Sequence, residues 1–230
     1  MPGAAEIVVV GAGCVGSSVA YRLAQRGARV TVLDAGAPGA GTSGASFAWT
    51  NSFGKTPRDY HDLNVAGMEE HATLVKELPG GGWLHQDGAL AWEDSPAGCA
   101  RLDQAVERLA GWGYAIERIT PAQAREIEPD LHIAPDVARV IWTPGEGYLD
   151  AVPYVAALLA AARRHGARVR PGRRVAEHNI NLSLFERRRV SVVVDAYDQL
   201  SCLRFCHRFA LHSRCLILNS LRPIPAASYQ

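Results

Sequence analysis

The feature that constrains the fold most is a glycine-rich turn between an apolar run and a helix-like segment. Ile7–Val10 are consecutive apolar residues, typical of a buried strand in a parallel sheet. The sequence GAGCVG follows. Its spacing lets Gly11 form a tight turn, Gly13 admit a pyrophosphate to the backbone, and Gly16 bring the next helix close to the strand. We therefore predict a strand, a turn and a helix that bind a dinucleotide.

The opening segment ends in an acid. A helix running to Arg26 is expected to stop at Gly27, with its N-terminal N–H groups and positive dipole end facing the phosphates. A second strand, Arg29–Leu33, leads to Asp34, whose carboxylate can accept hydrogen bonds from both ribose hydroxyls and would repel a 2′-phosphate. The inner face of the helix is expected to carry Val15, Val19, Ala20 and Leu23.

Length, charge and cysteine content limit the kinds of protein that this chain can be. The 230 residues suggest one large or two small domains, and a net charge of +1 with 20% charged residues argues against a nucleic-acid binder. Five cysteines, odd in number and unevenly spaced, do not form a disulfide pattern, so we expect a reducing, cytoplasmic location. Neither a membrane span nor a signal peptide is expected, because the apolar runs are short and the first lacks a basic flank.

A loop rich in small residues follows Asp34 and is predicted to be too irregular for a helix. Small side chains would let a cofactor approach the backbone, and Thr42, Ser43 and Ser46 are candidate hydrogen-bond donors. A flexible surface loop is the alternative. Nearby aromatic side chains favour the cofactor loop, since solvated linkers seldom carry them.

The middle of the chain alternates less regularly, as expected of a second domain inserted into the first. We predict a hairpin over residues 83–94 with its turn at Asp87-Gly88. The other predicted elements are helices over Arg58–Leu78, Pro96–Trp112 and Pro121–Ile127, and strands over Tyr114–Ile119 and Val137–Trp142.

A regular pattern returns near residue 150. Asp150 is expected to cap a helix with Pro153 in its first turn, and Gly166 to end it. Residues 167–175 then predict a strand pair or a bent strand that extends the first sheet. The helix is expected to bury Val155, Leu158, Leu159 and Ala162.

Three segments, GAGCVGSSVAYRLAQRGARVTVLDAG, GTSGASFAWTNS and GYLDAVPYVAALLAAARRHGARV, resemble FAD-dependent oxidoreductases of the D-amino acid oxidase (DAO) type. The resemblance implies an α/β fold with a Rossmann-like, glutathione-reductase-like FAD-binding domain and an interleaved, incomplete α+β substrate domain. The expected boundaries are residues 1–80 and 146–175 for the FAD-binding domain, 81–145 for the substrate segment, and 176–230 for an atypical tail.

The resemblance also implies the chemistry: oxidation of a C–N bond of a small-molecule amine or amino acid, with the α-hydride passing to flavin N5 and the imine then hydrolysing. No catalytic residue is assigned, because the resemblance implies that the groups holding the substrate carboxylate come mainly from the part of the family sequence that is missing here. Arg58, Tyr60 and His61 follow the loop and could approach the pocket, but a place on a helix surface is expected for each. The predicted cofactor-binding residues are Gly11, Ala12, Gly13, Cys14, Val15, Gly16, Asp34, Ala35, Thr42, Ser43, Ser46 and Val175, the last through its backbone at the adenine.

The C-terminal segment differs in composition. All 22 glycines precede residue 173, so we hypothesise that the family-like sequence is truncated or frame-shifted after about residue 175. A family-like continuation in another reading frame of the coding DNA would support this. No metal site is predicted, since the spacing in a tail cluster fits no common zinc finger. That cluster contains Cys202, Cys206, His207, His212 and Cys215.

Two other functions remain open at this stage. The opening motif is shared with NAD-linked dehydrogenases, and a shortened chain could be a non-catalytic product that only binds a nucleotide. A visible spectrum separates these cases, because only bound flavin colours the protein. We expect weak or absent activity of this chain even with flavin bound.

Overall fold

The computed structural model describes residues 6–78 and 80–175, and the backbone of residues 190–194. These residues form an α/β protein that divides into two compact units: a terminal unit, up to Pro38 and from Ala162 onward, and a central unit, Gly39–Ala161. The domain boundaries expected at residues 80 and 145 stay a prediction. The helices are α1 Cys14–Gln25, α2 Thr42–Ala45, α3 Arg58–Glu77, α4 Pro96–Gly111, α5 Pro121–Ile127 and α6 Ala151–Arg164. The strands are β1 Glu6–Val10, β2 Arg29–Leu33, β3 Trp49–Thr50, β4 Leu84–His85, β5 Ala89–Ala91, β6 Glu117–Ile119, β7 Val140–Thr143, β8 Gly147–Leu149, β9 Arg168–Arg170 and β10 Val190–Val194.

The terminal unit is built on a parallel sheet in the order β10-β1-β2-β9. When these four strands are numbered by their order along the chain and read from β9 to β10, the order is 3-2-1-4. This is the order of the first strands of a dinucleotide-binding doubly wound sheet. β1 and β2 lie where the sequence predicts them. Part of the prediction over residues 167–175 is confirmed, since β9 forms there and extends the first sheet beside β2. The second strand or bend expected at residues 173–175 is wrong, because those residues are irregular. Of the expected atypical tail, only the β10 backbone lies within the described residues.

Helix α1 buries a different face from the one predicted. Its buried residues are Gly16, Ser17, Ala20, Tyr21 and Ala24. Val15 is 57% exposed, and Val19 and Leu23 are only half-buried. The physical reason is the small residues spaced four apart, which form a narrow ridge that lets the helix approach the sheet closely. The bulkier apolar side chains are therefore left on the flanks.

The central unit contains two antiparallel sheets, ordered β3-β8-β4 and β5-β7-β6. The predicted hairpin over residues 83–94 is wrong, because β4 pairs with β8 whereas β5 pairs with β7. Gly88 does adopt a positive φ of 93°, but its N–H donates to the Glu146 carbonyl, 2.9 Å away. The turn at Asp87-Gly88 is thus bonded to a distant part of the chain.

The longer helices agree with prediction to within a residue or two. Their starts have local causes: the Ser95 hydroxyl accepts the Gly98 N–H before α4, and Thr120 and Gln123 form a capping box at α5. The predicted buried residues of α6, Val155, Leu158, Leu159 and Ala162, are all buried. The loop after Asp34 is predicted to be too irregular for a helix, and this prediction is wrong because α2 forms there. Helix α2 is a single turn, in which the Gly41 carbonyl accepts the Ala45 N–H at 3.2 Å. Gly44 explains this tight path, since a Cβ there would overlap the Gly39 carbonyl oxygen.

An aromatic cluster in the central unit contains a half-buried histidine. The ring of Tyr154 lies 4.7 Å from that of Trp83 and 5.3 Å from that of His71, the latter edge to face. Burial lowers the pKa of His71 below its usual 6.5, and the nearby charge of Glu70 opposes this more weakly. The folded protein therefore favours the neutral imidazole.

This shift predicts a pH dependence of stability. A depressed pKa in the folded state contributes stability above the unfolded value of 6.5, and that contribution is lost as the pH falls below it. His71→Phe keeps the edge-to-face contact without the titration. We expect urea midpoints of the two proteins at pH 7.5 and 5.5 to show a smaller acid-induced loss in the variant. Equal losses in both proteins would contradict the prediction.

Among the described helices, none has the length and apolar character needed to cross a membrane.

Candidate functional site

The glycine turn has the backbone geometry that its sequence predicts. Gly11 has a φ of 97°, and its N–H donates to the Leu33 carbonyl at 2.8 Å, so the turn leaves β1 directly beside the end of β2. A Cβ on Gly16 would overlap the Gly11 carbonyl oxygen. Gly13 is the N-cap of α1 and carries no side chain that could cover the first N–H groups of the helix. The turn thus presents the helix N-terminus at the carboxyl end of β1.

Asp34 is held in place by the turn. Its Oδ2 accepts the Ala12 N–H at 2.7 Å, and its Oδ1 accepts the Gly36 N–H at 2.7 Å. A carboxylate has about four lone-pair sites, so about two remain for hydroxyl donors. Two charge-assisted bonds fix the orientation of the group before any ligand arrives. This geometry suits a ribose diol, and the negative charge does not suit a phosphorylated ribose.

The segment after β9 runs beside Asp34. The Asp34 N–H donates to the Arg170 carbonyl at 3.2 Å, and the Arg173 N–H donates to the Asp34 carbonyl at 2.7 Å. These bonds continue the parallel pairing of β2 and β9 beyond the strands. Val175 follows and is half-buried. The predicted adenine contact of its backbone is not tested by these bonds and stays a prediction.

The remaining predicted donors lie on the loop of the central unit. Thr42 and Ser43 belong to α2, and Ser46 follows it with its Oγ accepting the Ala48 N–H at 2.9 Å. Ala48 has a φ of 48°, which is uncommon for a residue with a side chain, and its carbonyl accepts the Leu149 N–H at 3.1 Å. Strained residues held by such bonds concentrate at functional sites.

A row of aromatic side chains lies on the small sheet that begins with β3, directly after this loop. Trp49 of β3 and His85 of β4 both pair with Tyr148 of β8, so the three residues form a row across one sheet. The rings of His85 and Tyr148 stack at 4.5 Å, and His85 Nε2 lies 3.1 Å from Asp150 Oδ2. Asp150 caps α6 through its backbone carbonyl, which accepts the Tyr154 N–H at 2.9 Å. Its side chain is thereby left to bond His85.

The central unit also contains a buried polar cluster around Glu146. This residue is 0% exposed, and its Oε1 accepts hydrogen bonds from the Ser52 N–H at 2.8 Å, the Phe53 N–H at 2.6 Å and the Tyr114 hydroxyl at 2.7 Å. Its Oε2 is buried without a hydrogen-bond partner among the described residues. Burial raises the pKa of Tyr114, and the hydrogen bond to Glu146 and the charge of Glu146 raise it further. A hydrogen bond with the Ser52 backbone lowers this pKa by a smaller amount. The phenol therefore stays protonated and donates.

His61 is part of this cluster, so its predicted place on a helix surface is wrong, whereas Arg58 and Tyr60 are exposed as expected. Its Nδ1 lies 2.7 Å from Ser52 Oγ and 3.2 Å from the Ser52 carbonyl oxygen. A carbonyl can only accept, so the Nδ1–H tautomer satisfies both contacts. The Ser52 hydroxyl then donates to the His61 carbonyl at 2.9 Å.

The structure brings some predicted residues together and separates others. Gly11, Ala12, Gly13, Cys14, Val15, Gly16, Asp34, Ala35 and Val175 lie in the terminal unit. Thr42, Ser43 and Ser46 lie in the central unit. The sequence does not predict the polar cluster formed by Ser52, Tyr114 and Glu146. The one local sign of it is a single acidic residue between two glycines at residues 145–147. The described residues contain no group of three metal-ligating side chains, and the tail cysteines and histidines lie outside them.

Comparisons with known proteins agree with this geometry. Residues 6–199 match a family described as FAD-dependent oxidoreductases (DAO). The match extends past residue 175, so the family likeness continues further than composition suggested. The family match identifies the cofactor as FAD, whereas the NAD-linked alternative rested on the shared glycine motif alone.

Three relatives illustrate the likeness. Over 170 residues the chain is 30% identical to human mitochondrial dimethylglycine dehydrogenase, covering 71% of this chain and 19% of that protein. The structure of L-proline dehydrogenase from P. horikoshii superposes with a TM-score of 0.62 at 28% identity, covering 75% of this chain and 45% of that one. Glycine oxidase from Bacillus cereus gives a TM-score of 0.71 at 19% identity, covering 89% and 58%, and shows the fold alone. The chain spans less than two thirds of each.

Proposed function

Because the chain belongs to the DAO family of FAD-dependent oxidoreductases, we propose that it serves the oxidation of a C–N bond in a small-molecule amine or amino acid. The observation that carries the proposal is the Asp34 carboxylate, which is fixed by backbone N–H groups at the glycine turn and keeps lone pairs for a ribose. The names of the relatives, which act on dimethylglycine and L-proline, support the substrate class. We also propose a cytoplasmic location, in keeping with Cys14 and Cys99, which form no disulfide.

The described residues suggest how FAD would be held. Asp34 would accept the ribose hydroxyls, and the first N–H groups of α1 would bind the pyrophosphate. Val175 would meet the adenine through its backbone. The Thr42, Ser43 and Ser46 side chains would donate to the cofactor from their loop. When bound, FAD supplies the two-electron acceptor for the hydride that leaves the carbon beside the nitrogen.

A spectroscopic experiment tests the proposal. The full chain is expected to bind FAD with a visible flavin spectrum, and anaerobic addition of a substrate amine should bleach that spectrum slowly, in keeping with the weak activity expected from the sequence. Amines, N-methylated amines and amino acids form the panel. A protein that binds FAD but is bleached by none of them would contradict the proposed reaction, and one that binds NAD in place of FAD would contradict the proposed cofactor.

Asp34→Asn provides a sharper test of cofactor binding. The amide has one acceptor oxygen, so its NH₂ must face either the Ala12 or the Gly36 N–H, and the charge is lost. Hydrogen bonds to charged groups contribute about 1.5–3 kcal/mol, so we expect FAD to bind about 10–100-fold more weakly, measured by flavin fluorescence titration.

Asp136→Asn is the matched control, because Asp136 is exposed in a loop and the substitution removes the same charge. Its FAD affinity should equal that of the unmodified protein. Equal affinities of the Asp34 and Asp136 variants would show that Asp34 does not bind the ribose.

A further inference from the structure

The two units of the chain carry opposite charge, although the net charge of the whole is +1. The central unit contains 17 acidic and 8 basic residues. The described residues of the terminal unit contain nine basic residues, all of them arginine, and only two acids, Glu6 and Asp34. Charge that is separated in this way creates a surface potential that attracts a partner of opposite sign.

The positive charge is concentrated in residues 163–174, which we call the arginine segment. This segment contains six arginines, one histidine and no acid. Gly166 has a φ of 89°, and the Ala167 N–H donates to the Ala162 carbonyl at 3.0 Å, so the chain turns sharply from the end of α6 into β9. The arginines at the end of α6 and at the start of β9 therefore flank one tight turn.

The charge of the arginine segment is exposed and uncompensated. All six arginines are exposed, and within the part of the chain that the structure describes none of them forms an ion pair. Arg168 and Arg170 alternate with the half-buried Val169, so their side chains lie on the same face of β9. Basic residues stabilise a helix C-terminus, and charged residues protect an edge strand, but neither role requires that acids be absent from the segment.

The central unit contains a segment of opposite charge. Residues 126–136, which we call the acidic segment, carry four exposed acids and no lysine or arginine. The arginines on either side are already engaged. Arg125 donates to the Ile133 carbonyl at 3.3 Å, and Arg139 pairs with Asp103. The four acids, which form no ion pair with any described residue, are Glu126, Glu128, Asp130 and Asp136.

Two observations favour a protein as the partner of the arginine segment. Ile127 is 42% exposed between two acids of the acidic segment, and an apolar side chain within a charged surface is typical of a protein interface. A nucleic acid would be attracted by the arginines, but the strongly acidic central unit of the same chain would repel its phosphates.

We propose that the arginine segment of one copy of this chain binds the acidic segment of a second copy. An arginine can donate two parallel hydrogen bonds to one carboxylate, so a surface rich in arginine favours clustered carboxylates. Each copy carries one of each segment, so the contact can form twice in a two-fold pair. The inference does not rest on the proposed function, because neither segment contains a residue assigned to the cofactor.

The test measures self-association of the full chain by analytical ultracentrifugation at about 0.1 M and about 1 M salt, where the Debye length is about 10 Å and about 3 Å. We expect association at the lower salt concentration, and at least about tenfold weaker association at the higher one. Arg164→Glu combined with Arg168→Glu should weaken association at least about tenfold at the lower salt concentration, because like charges then face each other.

Arg101→Glu combined with Arg118→Glu is the matched control. Both arginines are exposed and lie outside the two segments, and their substitution changes the net charge by the same amount. This variant should associate as tightly as the unmodified chain. Equal weakening in the two double variants, or a chain that stays monomeric at the lower salt concentration, would overturn the inference.

A charge exchange between two variants gives the sharpest result. Glu128→Lys combined with Asp130→Lys should also prevent self-association. When this protein is mixed with the variant carrying Arg164→Glu and Arg168→Glu, we expect a mixed complex, because each reversed segment then meets the opposite charge. Its formation would also show that both variants are folded, and its absence would contradict the inference. A monomeric chain that binds an oligonucleotide through Arg164 and Arg168 would show that the partner is a nucleic acid and that the inference is wrong.

Discussion

Glu146→Ala is expected to lower the free energy of unfolding of the central unit by about 3–5 kcal/mol, because three donors lose their acceptor and an unsatisfied buried donor costs about 1–3 kcal/mol. The substitution removes the common acceptor of the Ser52 N–H, the Phe53 N–H and the Tyr114 hydroxyl. The bond from the Ser52 N–H is buried and the other two are partly buried, so the Ser52 N–H is expected to lose most. A cavity is left as well.

Urea unfolding followed by circular dichroism measures this effect. Glu107→Ala is the matched control, since Glu107 is exposed on α4 and its removal should change stability by less than about 0.5 kcal/mol. Tyr114→Phe should fall in between, at about 1 kcal/mol, because it removes one donor and leaves the other two bonds to Glu146 intact. If Glu146→Ala unfolds at the same urea concentration as Glu107→Ala, the cluster does not stabilise the unit.

Gly16→Ala is the second substitution with a large expected effect. The added methyl group would overlap the Gly11 carbonyl oxygen, which is backbone and cannot rotate away, so α1 must move off β1. Overpacking of this kind costs on the order of 3 kcal/mol. The shift also displaces the N–H groups of the first helical turn and the Ala12 N–H that holds Asp34. We therefore expect FAD binding to fall at least as far as in Asp34→Asn.

Gly67→Ala is the matched control for Gly16→Ala. Gly67 lies inside α3, and no atom lies within 4 Å of the position that its Cβ would occupy. Alanine is favoured over glycine in a helix by about 1 kcal/mol, so this variant should be slightly more stable and bind FAD normally. Thermal midpoints and FAD titrations of both variants measure the two effects. A Gly16 variant that matches the Gly67 variant would show that α1 does not need its close approach to β1.

Local patterns explain what the sequence predicts well. The strand, glycine turn, helix and Asp34 all follow from residues close together in the chain, and the helix starts at Pro96 and Pro121 follow from their capping residues. The prediction for the buried face of α1 is wrong because it assumed that the largest apolar side chains face the sheet. A ridge of small residues packs closer to a sheet than large side chains can.

Long-range pairing explains most of what the sequence does not predict. Residues 83–94 have the pattern of a hairpin, but β4 and β5 each find a better partner among residues 140–149, far along the chain. The Glu146 cluster combines residues separated by up to 94 positions, and no spacing rule connects them. His61 illustrates the same limit: its helical position permits either face, and its contacts with Ser52, Trp112 and Tyr114 determine that it is buried.

The strand order of the terminal unit has a consequence for synthesis on the ribosome. β1 and β2 are made early, but the strands that complete both edges of their sheet, β9 and β10, come after the entire central unit. At ~5–20 residues per second, the interval between Leu33 and Arg168 lasts roughly seven to thirty seconds. During that time the nascent β1–β2 pair has two open edges available for wrong pairing. The central unit, whose strands all lie between Trp49 and Leu149, can form first, and chaperones that shield strand edges should matter most for the segment made earliest.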